Sequence, residues 1–125
     1  MDSIAFAIPL KRGMRERAEK LADELVEGDR AKQFHDKTRA YGYSRVKVFA
    51  QHEPQEMIVI YLEGEDVRSA MANQARSDDD FENWFRGMVK ELSGHDPGRL
   101  AGQPPSELLH DWHAERGNAR GHHPV

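Results

Sequence analysis

The densest group of side chains able to do chemistry lies late in the chain, at His110-Asp111-Trp112-His113. On a helix, two imidazoles three positions apart share a side and could ligate a metal, with Asp111 a poor third ligand. On a strand they point to opposite faces and could not. The strand is preferred because three strands would leave the sheet incomplete, so no metal is expected and His110, on the same side as Trp112, becomes a candidate general base. His35 follows Phe34 in a helical stretch and is a second acid/base candidate, against the plainer reading of an exposed histidine near Lys32 and Asp36. His52 falls at a strand's end, where a surface histidine is the preferred reading. Tyr61, on a half-buried strand, could orient a substrate oxygen or act as a weak acid, although such phenols more often pack. Trp84 is either core or an aromatic platform, and Arg39 and Arg86 could hold an anionic group, although helical arginines are usually solvated. The expected site is therefore His110, His35 and Tyr61 as catalytic groups, with Trp84, Trp112 and Arg39 binding substrate and no cofactor. His122 and His123 stand in a segment without periodicity and are not counted.

Composition narrows what those residues can be doing. A chain of 125 residues matches one domain with a single core. Eighteen Lys and Arg against 22 Asp and Glu give a net charge of −4, with the bases spread among the acids, so no field suited to nucleic acid exists. The absence of cysteine excludes disulfides, thiolate catalysis and cysteine-based zinc sites. The N-terminus lacks the basic start and apolar run of a secretory signal, and no stretch approaches the roughly 20 apolar residues that span a bilayer. A soluble protein of the cytoplasm is the expectation.

The elements that must position the site follow from periodicity. Ile4, Phe6 and Ile8 alternate with Ala5 and Ala7 in a first strand closed by Pro9. Lys11 to Val26 and Arg30 to Tyr41 carry apolar residues at helical spacing and end at Gly28 and Gly42. Ser44–His52 and Met57–Glu63 alternate at period two around His-Glu-Pro-Gln and form a hairpin. One layer holds Val46, Val48, Ala50, Ile58, Ile60 and Leu62; the other holds Phe49, Met57, Val59 and Tyr61. Glu65 to Arg76 is a helix. Ser77-Asp78-Asp79-Asp80 caps the next, whose stripe of Phe81, Trp84, Phe85, Met88, Val89 and Leu92 ends at Gly94. A Pro- and Gly-rich loop covers 96–105. Three strands leave a βαββα sheet incomplete, so 106–113 is read as the fourth strand, with 114–125 a disordered polar tail. The fold class is α+β, with an antiparallel four-stranded sheet covered by helices on one face.

That order resembles the ferredoxin-like proteins that dimerise into α/β barrels. More narrowly, Lys37-Thr38-Arg39-Ala40-Tyr41-Gly42 leading into Arg45-Val46-Lys47-Val48-Phe49 is similar to a small family of uncharacterised function. So are Ile58-Val59-Ile60-Tyr61-Leu62-Glu63-Gly64-Glu65-Asp66, Phe81-x-x-Trp84-Phe85 and Pro104-Pro105-x-Glu107-Leu108-Leu109-x-Asp111-Trp112. The resemblance spans roughly residues 3–113 and implies the fold, the late strand and a dimer; it carries no catalytic residues of its own. Phe81-x-x-Trp84 followed by His95 is similar to the Trp and His of haem-degrading relatives. Those relatives have an asparagine in the first strand where this chain has Ala5, Phe6 and Ala7, so haem is not expected. The resulting expectation is a homodimer through the sheet face. Its pocket, between sheet and helices, would handle a small organic or aromatic molecule as a cofactor-independent enzyme or as a non-catalytic binding module.

Overall fold

The computed structural model describes residues 1–95, 105–115 and 117–119. Its element order is β1 (Asp2–Pro9), α1 (Arg15–Val26), α2 (Ala31–Tyr41), β2 (Tyr43–Gln51), β3 (Met57–Gly64), α3 (Val67–Arg76), α4 (Asp80–Ser93), β4 (Asp111–His113) and β5 (Gly117–Ala119). The first three strands form an antiparallel sheet in the order β1-β3-β2. Its register sets Ile4, Phe6 and Ile8 opposite Leu62, Ile60 and Ile58, which in turn stand opposite Val46, Val48 and Ala50. This layer meets the helices. Ile4 and Leu62 are buried with Val67 and Ala70 of α3, and Tyr41 and Tyr43 close the same cluster. A second cluster joins Ala18 and Leu21 of α1 to Met88 and Leu92 of α4, with Ile58 and Trp84 packed against it. Alternation turns Ala5, Ala7, Phe49, Met57, Val59 and Tyr61 to the opposite face.

Chain ends and caps explain the boundaries. A helix was expected from Lys11, but Gly13 adopts φ +82° and Met14 N–H donates to the Lys11 carbonyl, so α1 starts at Arg15. Asp66 caps α3 by accepting from Ser69 N–H at 3.1 Å, which moves its start from Glu65 to Val67. Asp2 also accepts from Val67 N–H, at 3.0 Å, and so ties the start of β1 to the start of α3. Asp79 caps α4 through Glu82 N–H, and Gly42 and Gly94 end α2 and α4 in left-handed conformations.

The late strand differs from the expectation. Of 106–113 only Asp111–His113 forms a strand, and it pairs with Gly117–Ala119 in a separate two-stranded sheet. The expected fourth strand of the main sheet is thus not a member of it among the described residues. Segment 105–110 reaches the edge of β1 that no described strand pairs, where the Ser106 hydroxyl donates to the Ala5 carbonyl. A side-chain hydroxyl in place of a backbone N–H does not propagate a ladder, and Pro105 has no N–H to offer. The strand at 117–119 falls within the stretch read as a tail; the loop at 96–104, and His122 and His123, lie outside the described residues.

Gly64 marks the tightest backbone approach in the sheet. A Cβ there would lie 2.6 Å from the Gly42 carbonyl oxygen, at the irregular register between Tyr43 and Arg45. Backbone cannot swing away as a side chain can. Gly64→Ala is expected to destabilise the fold by about 1–3 kcal/mol, read from the midpoint of urea unfolding.

Candidate functional site

Between the two apolar clusters the helices stand off the sheet and leave a cavity of about 170 Å³. Ile60 and Val46 of the sheet form its floor, with Phe34 of α2, Met71 of α3 and Phe85 and Val89 of α4 among its walls. Val48 lines it and is 52% exposed, which sets the opening at the β2 edge. The cavity is apolar except where Thr38, Tyr43, Gln74, Glu82 and Arg86 reach it.

Four of those five side chains, with Tyr41, build one hydrogen-bonded cluster. Glu82 is 1% exposed, the most deeply buried polar residue described. Its Oε2 accepts from the Tyr41 hydroxyl at 2.7 Å, and its Oε1 accepts from Gln74 Nε2 at 3.1 Å. The Tyr43 hydroxyl donates to Gln74 Oε1 at 2.8 Å. Arg86 Nη2 donates to the carbonyls of Gln74 at 2.7 Å and Ala75 at 3.2 Å, in the last turn of α3. No buried side-chain nitrogen or oxygen among the described residues lacks a partner, as a low-dielectric site requires.

Local sequence places Glu82 three residues after the Asp79 cap, the spacing at which a glutamate commonly folds back on its own helix end. Here Tyr41 and Gln74 take the carboxylate inward instead. Behind Tyr41, Lys37 bonds Asp79 and lies 5.3 Å from the Tyr41 ring. That pairing raises Lys37 above the usual amine range; with the Glu82 N–H it holds Asp79 below the usual carboxylate range. Burial pushes the Tyr43 phenol far up, and the nearby Glu82 carboxylate adds to the shift. Burial likewise raises Tyr41.

None of the six residues singled out from sequence lines the cavity. His35 and Arg39 are exposed on α2. Tyr61 lies on the face away from the helices, where its hydroxyl donates to Glu63 Oε1 at 2.7 Å and is raised by that bond. The layer that contains it is therefore the open one. Trp84 packs toward α1, with the Arg30 guanidinium 4.5 Å from its ring centre. His110 is exposed and lies outside β4, and Trp112, on β4, is 65% exposed. His52 sits in a surface cluster with Arg15 and Glu56. The structure does not bring these six together; Arg86, weighed with Arg39 as a possible anion holder against the plainer reading of a solvated arginine, is the residue among those weighed that reaches the cavity. Glu82, Tyr43 and Gln74 were missed. The available signal was Glu82 one helical turn before Phe85 and Arg86, on the flank of the α4 stripe.

No family model, no curated protein and no solved structure matches the chain. Among the described residues no three histidine or acidic side chains converge as a metal site would need, and no helix is long and apolar enough to cross a membrane.

Two outcomes test the cluster. Tyr41→Phe removes a donor from a buried carboxylate and is expected to cost about 1–3 kcal/mol in chemical unfolding. The chain's three tyrosines, at 41, 43 and 61, are all raised above their ordinary value, so the folded state holds these protons more tightly than the unfolded state. The tyrosines' contribution to stability is then level below pH about 10 and falls as pH rises through and above it. Tyrosinate absorbance should appear only above that pH, with Tyr43→Phe removing the latest-titrating group.

Proposed function

We propose that the cavity binds a small organic molecule and that the protein is a ligand-handling homodimer of the ferredoxin-like α/β-barrel type. The observation that carries the binding reading is an apolar cavity with one polar wall, built on four helices and a sheet. A closed apolar cavity on the order of 150 Å³ accepts benzene, so about 170 Å³ suits a single-ring molecule or its aliphatic equivalent.

A catalytic version is favoured by one feature. Glu82 is a carboxylate at an apolar cavity, held between Tyr41 and Gln74, a setting in which a general base can act without a cofactor. Glu82 takes the acid/base role in this reading. His110 and His35 were the sequence-based candidates, and both are exposed.

The ferredoxin-like reading rests on the β1-β3-β2 order and on the edge of β1 that no described strand pairs, beside which Ser106 docks. The dimer rests on the open sheet face, where Phe49 is 53% exposed and Ala5 and Ala7 are exposed beside half-buried Met57, Val59 and Tyr61. A helix-covered sheet leaves such a face to solvent unless another surface covers it, and a second copy is the simplest cover.

Screening single-ring compounds by thermal shift and ligand-observed NMR tests the pocket. Binding compounds should raise the unfolding temperature of the wild type. They should lose that effect in Val89→Phe, which fills the cavity while circular dichroism shows the fold retained. Equal binding by both proteins would place the ligand elsewhere. For the dimer, light scattering should give twice the chain mass at micromolar concentration, and Phe49→Glu should give the monomer. A monomeric wild type would rule the sheet-face dimer out.

A further inference from the structure

Resting on the cavity as a binding site, we propose that its ligand carries a hydrogen-bond-donating head group, an ammonium foremost, and that Glu82 is the acceptor.

The direction of the hydrogen bonds makes the case. Tyr43 donates to Gln74, Gln74 donates to Glu82, and Tyr41 donates to Glu82. The two phenol protons and the inward amide proton are thereby committed. An amide turned the other way would set its oxygen against a carboxylate oxygen, so Glu82 itself fixes the orientation of Gln74. Both of these donation paths end on Glu82. A carboxylate oxygen can accept two bonds, and each of these takes one from the cluster. The hydrogen-bonding capacity left on Glu82 is that of an acceptor, and the ligand group that complements it is a donor.

Charge points the same way. Neither Glu82 nor Arg86 forms an ion pair among the described residues. Arg86, however, already donates to two last-turn carbonyls of α3, groups that carry the partial negative charge of a helix end. Its charge is partly met. Glu82 receives only neutral donors, and the phenol of Tyr43 is held protonated by burial. An anionic ligand would enter against the Glu82 charge. A cation would meet it in an apolar surround, where charge-assisted hydrogen bonds are shortest and strongest. Desolvating an ammonium is costly, and a carboxylate in place beforehand offsets that cost. The apolar walls would take the ring or chain, so the class is a small amine with a compact hydrocarbon body.

Four compounds of matched shape separate the possibilities: benzylamine, benzyl alcohol, toluene and benzoate, each titrated at pH 7 by ligand-observed NMR or calorimetry. Wild-type protein should bind benzylamine at least tenfold tighter than toluene, with benzyl alcohol between them and benzoate weakest. In Glu82→Gln the amine's advantage should fall below about threefold while toluene affinity stays within a factor of two. If toluene matches benzylamine, or benzoate binds tightest, the head-group assignment is wrong and the cavity still binds. If none of the four binds, the cavity reading fails and this proposal with it. The wild-type ranking alone decides the matter should Glu82→Gln not fold.

Discussion

A carboxylate placed 1% exposed between helices and sheet imposes conditions on everything around it. Glu82 must be given hydrogen bonds, and the structure draws them from separate parts of the chain: Tyr41 at the end of α2, and Gln74 in α3, itself held by Tyr43 at the start of β2. Arg86, one turn further along α4, fastens to the last carbonyls of α3. One buried charge therefore sets the mutual positions of three helices and a strand. A lost donor would leave desolvated charge unmet, which is why such a cluster specifies a single arrangement more sharply than apolar packing does.

The apolar clusters supply bulk attraction on either side of this cluster. Val67 and Ala70 of α3 press on Ile4 and Leu62 of the sheet, while α1 and α4 meet through Ala18, Leu21, Met88 and Leu92. The two clusters do not merge. Where they part, the helices bridge the sheet without filling the space below, and the cavity is the result. Its polar wall is the Glu82 cluster, so the element that fixes the packing also gives the cavity its chemical character. The opposite sheet face, with Phe49 among lysine and arginine side chains of β2, takes no part in this core.

The candidate site was far less legible than the fold. Histidine and tryptophan attracted notice because of their chemistry, yet His35, His110 and Trp112 are exposed and Tyr61 faces outward. Whether a strand residue meets helices or solvent depends on which layer the helices choose. Both faces of β3 are apolar enough for either role, so Tyr61 could not be assigned from its own strand. Glu82 stands in the acidic first turn of α4, where the capping pattern and the inward turn share one sequence. Only the approach of Tyr41 and Gln74 distinguishes them.

Local periodicity and stop signals sufficed for the first 95 residues. Alternating apolar residues, glycines at 42 and 94 that can adopt left-handed angles, and aspartate caps at 66 and 79 are backbone-scale causes, and they act within a few residues of themselves. The strand order, the sheet face that the helices cover, the burial of Glu82 and the cavity depend on contacts between residues dozens of positions apart. So does the separation of Asp111–His113 from the main sheet, because pairing requires a partner edge and the segment found β5 instead of β1. No pattern within one element encodes which distant surface it will meet, and here that meeting turned an ordinary helix-start glutamate into the centre of the site.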